Sequence, residues 1–448
     1  MMPASFQVRT IITIAACTIA AALLTGCGTG LAPSVNEAAS GSAGTGRIQG
    51  AVHGGQQPVS GSTIQLYAVT TEGYNAPATA LLTVPVTTAA NGTFSITGDY
   101  SCTGVDQVYI VATGGNPGLA GNTNNGALAL MAALGTCSSL LANASTTFIN
   151  LNEVTTVAGA WSLARFMSSP TNAGTSASNI PGVQNAFATA NKIANVSTGS
   201  APGPALPAGA TLPVAEVNTL ANILSSCINT NGSVASGTAC ATLFAAATPP
   251  GGSAPTDTLT AALNIAQYPS SSVPALFALA TPSPAFQPAL TAAPTNWLIG
   301  IHHTGGGLSQ PTGVAVDATG NVWVSNTANS ISEFSPIGAA LSPAAGYTAG
   351  SLSHPSAIAI DLSGNAWVTN LTGSVTTIAP LGASATNFTA GAFNQPSSIA
   401  IDGSGNVWVA NGGNSTVSGL SSTGSVIPAT PFSGAGISSS IGITISAQ

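Results

Sequence analysis

Charge is what this sequence has least of. Of 448 residues, 4 are Lys or Arg and 11 are Asp or Glu, so 3% are charged, where a soluble domain commonly carries about a quarter. No Lys or Arg follows Lys192. Without a basic patch to neutralise phosphates, nucleic acid is excluded as a partner. The motifs of readily recognised enzymes are missing too: there is no GxSxG, HExxH, P-loop, helix-opening GxGxxG or EF-hand loop. Scarce charge does not mean disorder here, because 44% of residues are hydrophobic and disordered chains lack that apolar content. The length suits two or three domains, with surfaces built from hydroxyls and amides.

The chain begins MMPASFQVRTIITIAACTIAAALLTGCGTG. One cation, Arg9, precedes an apolar run from Ile11 to Leu24, shorter than the roughly 20 residues of a membrane-spanning helix. Residues 1–26 therefore read as a secretory signal. Leu24-Thr25-Gly26-Cys27 resembles the lipobox of bacterial lipoproteins. That resemblance implies cleavage before Cys27 and acylation of its thiol and amine, which holds a protein durably on a membrane. Gly28 after the cysteine implies sorting to the outer membrane or cell surface. Residues 27–46, small and polar, read as a flexible tether.

Cys17 leaves with the signal and Cys27 is the anchor, which leaves Cys102, Cys137, Cys227 and Cys240. In an oxidising compartment four cysteines without a CxxC pair favour two disulfides over a metal site. Of three possible pairings, Cys102 with Cys137 and Cys227 with Cys240 keep each bond within one segment and are preferred.

Residues 47–115 alternate in short runs, RIQGAVHG, STIQLYAVT, LLTVPVTT, GTFSITG and QVYIVATG, separated by Gly, Pro and Asn. This predicts an antiparallel β-sandwich. GAVHGGQQPVSGSTIQLY with TTAANGTFSIT resembles the carboxypeptidase-regulatory or Cna-B type of small sandwich, in which Gly92 and Phe94 would turn into a core strand. That resemblance implies a stalk or adhesion module.

Residues 116–292 change period. Val154, Val157, Ala158, Trp161 and Ala164 share a helical face behind Asn152 as N-cap, and Val214, Val217, Leu220, Ala221 and Leu224 share another. Further helices are expected after Thr256-Asp257 and in VPALFALA. A helical, disulfide-bonded domain is predicted, interrupted near 168–182 and 197–213.

Residues 293–448 repeat. VAVDATGNVWVSN, IAIDLSGNAWVTN and IAIDGSGNVWVAN place Asp317, Asp361 and Asp402, and likewise Trp323, Trp367 and Trp408, about 40 residues apart. A period in the low forties with Gly-Asn turns is the mark of propeller blades. The repeats resemble NHL-type blades, in the wider group of gluconolactonase-like and virginiamycin-lyase-like propellers. NWLIGIHH reads as an outer strand before the first blade. SSSIGITIS begins a partial fourth, and pairing of the strand near Trp297 with the one near Ile443 would close a reduced ring. A joined dimer is the alternative to that monomer.

Two constellations offer chemistry. His302, His303 and His354 could supply metal ligands, as in propeller lyases, although adjacent strand residues point to opposite faces. Asp317, Asp361 and Asp402 could ring a divalent cation, but their equivalent positions favour turn-forming carboxylates. Glu333 has no counterpart in the other repeats, where Thr377 and Gly419 lie nearby. The Trp trio fits packing between blades. The reading as a whole is a multidomain exported lipoprotein, anchored by lipid, that binds or displays through its blades. It needs no cofactor or catalytic residue, and its neutral surface suits a glycan or an envelope protein. A metal-dependent lyase or lactonase and a structural spacer are the alternatives.

Overall fold

The computed structural model describes residues 42–43 and 47–434, apart from 99, 144–147 and 281–283, and also residues 437 and 442–445. The signal 1–26, Cys27 and most of the tether lie outside the described residues.

Period-two alternation builds two sheets. Arg47–Gly54 turns Ile48 and Val52 inward, and Thr63–Ala68 does the same with Ile64 and Leu66. One sheet runs in the order Ala129–Thr136, Gln107–Thr113, Thr63–Ala68, with Thr79–Ala80 and Val86–Thr87 beside the last. The other sets Arg47–Gly54 between Phe148–Leu151 and Thr93–Thr97. Gly92 sits at φ +76°, and a Cβ there would lie 2.7 Å from the Val52 carbonyl, so only glycine admits the turn that delivers Phe94 to the core.

The sheets do not end at residue 115, where the sequence suggested a change to helix. Ala129–Thr136 pairs antiparallel with Gln107–Thr113, and Phe148–Leu151 runs parallel to Arg47–Gly54. The reason is double burial. Ala129 to Ala133 are all buried, packed against the sheet and against helix Glu153–Leu163, so the strand reads as a continuous apolar run without alternation.

That helix is buried along nearly its whole length. Asn152 caps it: its side chain accepts from Thr155 N while Thr155 Oγ1 accepts from Asn152 N, an arrangement worth about 1 kcal/mol. Helices Ile180–Ile193, Val214–Ile228 and Thr258–Gln267 surround it. Asp257 caps the last through Thr260 N. Ala239–Ala246 and Val273–Ala280 pack on the same core, and a shorter helix, Cys137–Asn143, begins at a disulfide cysteine. One continuous core joins sheets and helices, from Ile48 to Trp297. Two disulfides brace it, Cys102–Cys137 and Cys227–Cys240, the pairs preferred from sequence.

NWLIGIHH does not form an outer blade strand. Trp297 is fully buried in the body, its backbone N–H donating to Pro269 O and its carbonyl accepting from Trp161 Nε1 at 2.7 Å. His302–His303 pairs with Ala210–Thr211. Burial of a large indole in the helical core outweighs a strand that would have offered it only one face. The strand near Trp297 is therefore unavailable to close a ring. Most of the expected C-terminal strand lies outside the described residues; Ile443 N donates to Ser398 Oγ.

Three blades follow. Blade one comprises Pro311–Val316, Val322–Asn326 and Ser330–Phe334; blade two comprises Pro355–Ile360, Ala366–Asn370, Ser374–Ile378 and Ala385–Phe388; blade three comprises Pro396–Ile401, Val407–Asn411 and Thr416–Leu420. Every pairing is antiparallel, and each first strand slips register just after its proline, where a missing N–H makes the ladder easiest to break. Small separate cores lie between blades one and two and between blades two and three.

Candidate functional site

The repeated aspartates are staples. Asp317 Oδ1 accepts the backbone N–H groups of Thr319 and Asn321, and Oδ2 accepts Trp323 Nε1 at 3.1 Å. Asp361 does the same with Ser363, Asn365 and Trp367, and Asp402 with Ser404, Asn406 and Trp408, the indole bonds being 2.9 Å in both. Gly320, Gly364 and Gly405 close these turns at φ between +82° and +85°. Each carboxylate thus ties the hairpin turn to the tryptophan that fills the blade. Burial alone would raise the Asp317 and Asp361 carboxyls, but the indole, side-chain and backbone donors outweigh it and hold both below the usual range. At Asp402 the Trp408 indole dominates and lowers the carboxyl to about 2.

Each tryptophan carries an aromatic partner: Tyr347 at 5.9 Å from Trp323, Phe388 at 5.3 Å from Trp367 and Phe432 at 6.1 Å from Trp408. Sequence reasoning passed over a third repeated element, the asparagine that ends each motif. Asn326, Asn370 and Asn411 are fully buried. Their amides donate to Ser330 and Ser332, to Ser374 and Thr376, and to Thr416 and Ser418; their oxygens accept from Ser309, Ser353 and Asn394 N. The signal was in the repeated WVSN, WVTN and WVAN. Blades are joined further by Thr312 Oγ1 donating to Pro355 O and Ser356 Oγ to Pro396 O.

Glu333 is also a structural bridge. Its Oε2 accepts from the Tyr347 hydroxyl at 2.8 Å and from Leu381 N of blade two, and its Oε1 accepts from Asn321 Nδ2. In the other blades the equivalent asparagine turns to its own aspartate. The histidines are dispersed. His302 and His303 lie in the strand beside Ala210–Thr211, His303 tilting against Phe334. His354 occupies a turn at φ +51° before blade two, its N–H donating to Asn329 Oδ1. Among the described residues no three His, Cys, Asp or Glu side chains converge as a metal site.

The blades do present an open surface. Ile358 and Ile360, on the leading face of blade two, meet Trp323, Ile331 and Tyr347 of blade one; Ile399 and Ile401 of blade three meet Trp367, Val375 and Phe388 of blade two. Among the described residues the matching positions of blade one, Val314 and Val316, join no such cluster. Val314 is 67% exposed and Val316 60%, against 8% for Ile358 and 7% for Ile399. At the other end Phe432 is exposed and Trp408 only half-buried.

Away from the blades, a cleft of about 460 Å³ opens where strand ends, the helix cap at Asn152, the 198–201 loop and the 285–287 loop meet. Beneath it Glu153 is wholly buried. Its Oε1 accepts from Gly55 N at 2.8 Å and its Oε2 has no partner. Burial raises this carboxyl to about 8 against two opposing backbone hydrogen bonds. Sequence reasoning found the cap and missed the acid beside it, because one Glu at a helix start ordinarily faces water.

No curated protein matches this chain. Among solved structures, virginiamycin B lyase from Staphylococcus aureus is 21% identical over 27% of this chain and 40% of its own, with a TM-score of 0.23. A catalytically inactive variant of that enzyme with quinupristin is 21% identical over 31% and 51%, at 0.25. A nidogen/laminin complex is 19% identical over 26% and 45%, at 0.22. The chain thus spans about half or less of the length of these structures. Residues 393–420, which cover the three strands of blade three, match the model of the NHL repeat.

Proposed function

We propose that this protein is an exported lipoprotein of the cell envelope that binds a partner through its blades and performs no catalysis. The observation that carries the reading is the uncovered leading face of blade one, where Val314 and Val316 are exposed while Ile358 and Ile399 at the position of Val314 are buried and Ile360 and Ile401 at that of Val316 are partly buried. An apolar sheet face bare at positions that the other repeats cover is a docking surface. The internal interfaces show what fits it: a flat sheet face carrying an aromatic and branched aliphatic side chains, as Trp323, Ile331 and Tyr347 do for blade two. The two disulfides support export, since such bonds persist in oxidising compartments. Cys27 supplies the anchor in this reading, the N-terminal sandwich a stalk of carboxypeptidase-regulatory type, and the outer membrane or cell surface the address.

The commitment of both oxygens of each blade aspartate to turn and indole donors supports a scaffold over a metal-dependent lyase or lactonase. The test is capture from envelope extract by the intact exported protein, beside a Val314→Lys/Val316→Lys variant and a metal analysis of both. The expected result is a partner retained by the wild type and lost from the variant by tenfold or more. Equal capture by both, or a tightly held divalent ion whose removal abolishes turnover, would contradict the reading.

A further inference from the structure

The polar cleft in the body has the chemistry of a binding site for neutral saccharides. Four stretches far apart in sequence build it: His53 to Gln56 at a hairpin, Asn150 to Val154 across the helix cap, Thr198 to Ala201, and Ala285 to Gln287, with Asn218 at its side. Its volume falls within the roughly 300–1,000 Å³ of small-molecule clefts.

Its amides are held in one orientation. Asn150 Nδ2 donates to Ser197 O, Asn218 Nδ2 to Pro288 O at 2.9 Å, and Gln56 Nε2 to Ala285 O at 3.2 Å. Each amide group is therefore fixed by a backbone carbonyl, and among the described residues no donor meets the three side-chain oxygens. Asn218 shows most clearly that this is a built feature. The residue is only 5% exposed and yet lies at the cleft wall, its amide nitrogen committed to a backbone carbonyl. The loop on the far side is fixed as well, since Asn222 both donates to Phe286 O and accepts from Phe286 N.

The cleft is also electroneutral. No Asp, Glu, Lys or Arg lines it. His53 is pushed down by burial, which favours its uncharged form at neutral pH, and that imidazole offers one donor and one acceptor. A phosphate or carboxylate would find no cation here, and a divalent cation would find no carboxylate. A ligand with several hydroxyl donors and no charge matches fixed amide oxygens, and Phe286, Val154 and Ala285 supply apolar wall for its C–H faces.

From the fixed amides, the placement of buried Asn218 at the cleft wall and the absence of charge, we infer that this cleft binds a neutral mono- or oligosaccharide. The site is separate from the open face of blade one, and neither depends on the other.

The experiment uses the intact exported protein and neutral mono- to tetrasaccharides of glucose, galactose and N-acetylglucosamine, with a sialylated trisaccharide as the charged comparison. Ligand-observed NMR finds binders and calorimetry gives affinities. At least one neutral sugar should bind. Ser200→Trp, at the exposed rim, should abolish binding by filling the cleft, and Gln56→Ala should weaken it roughly tenfold, the worth of one hydrogen bond. Val314→Lys/Val316→Lys should leave it unchanged, which separates this site from the blade surface. Unaltered thermal unfolding of Ser200→Trp excludes misfolding as the cause. The inference is overturned if no neutral sugar of the panel binds, if Ser200→Trp binds as well as the wild type, or if the sialylated sugar is preferred.

Discussion

The body and the blades treat the same chemical group in opposite ways. In the body, Glu153 is buried with Gly55 N donating to one oxygen and no partner on the other, and its carboxyl rises to about 8. In the blades, Asp402 receives two backbone N–H groups, an amide and an indole, and its carboxyl falls to about 2. The contrast extends to packing. The body has one core that joins sheets and helices and is braced by two disulfides, whereas the blades have small cores between neighbours and rely on a repeated hydrogen-bonded staple. A non-repeating core holds its shape by covalent bonds and large buried area. A repeating one holds it by making the same local contact three times, and at its end it leaves a face bare.

The largest expected difference between the two regions comes from reduction. In the chain-entropy model, bonds closing separations of 35 and 13 residues contribute about 3.8 and 3 kcal/mol. Both act on the body alone. Calorimetry with and without reductant should show the body transition fall steeply while the blade transition, followed through Trp323, Trp367 and Trp408, barely moves. A parallel fall of both would mean that the blades cannot stand without the body.

Within the blades, Trp367→Ala should cost about 3–5 kcal/mol, the range for large core truncations. Trp408→Ala should cost visibly less, because its indole is only half-buried. Chemical denaturation of the two variants measures the gap, and equal losses would show that the end of blade three is covered after all.

A smaller effect separates the regions by pH. Glu153 binds its proton more tightly in the folded state, so its contribution is complete below about 4.5 and is lost as pH rises through about 8. Asp402 binds its proton less tightly when folded, so its contribution is complete above about 3.8 and is lost as pH falls through about 2. Mild alkali should therefore weaken the body first and acid the blades. Glu153→Gln keeps the acceptor for Gly55 N and should abolish the alkaline loss, read as thermal midpoints from pH 5 to 8.5. An unchanged pH slope would place the proton elsewhere, half-buried Glu216, raised to about 7, being the next candidate.

The blades were the more legible region. An Asp, a Gly and a Trp recurring together state a turn and a core, and all three positions do in space what their spacing indicates. The capped helices behind Asn152 and Asp257 were legible for a similar reason, since a cap and a periodic face are local signals. Ala129–Thr136 was not, because a strand buried on both faces loses its alternation. Trp297 misled, since a tryptophan near repeats suggests a blade whereas burial in the body decided its place. The cleft was invisible because Gln56, Asn150, Asn218 and Phe286 come together only through long-range packing.

The bare leading face of blade one is the feature on which the proposed binding role turns, and labelling in envelopes of the producing cell tests it most directly. Single cysteines at Val316 and, as a control, at the exposed turn residue Leu362 would be treated with a thiol-reactive probe in intact envelopes and again after purification. The expected result is Val316→Cys protected in the envelope and labelled when purified, with Leu362→Cys labelled in both. Equal labelling of Val316→Cys in the two settings would show that nothing docks there and would contradict a binding role for the blades.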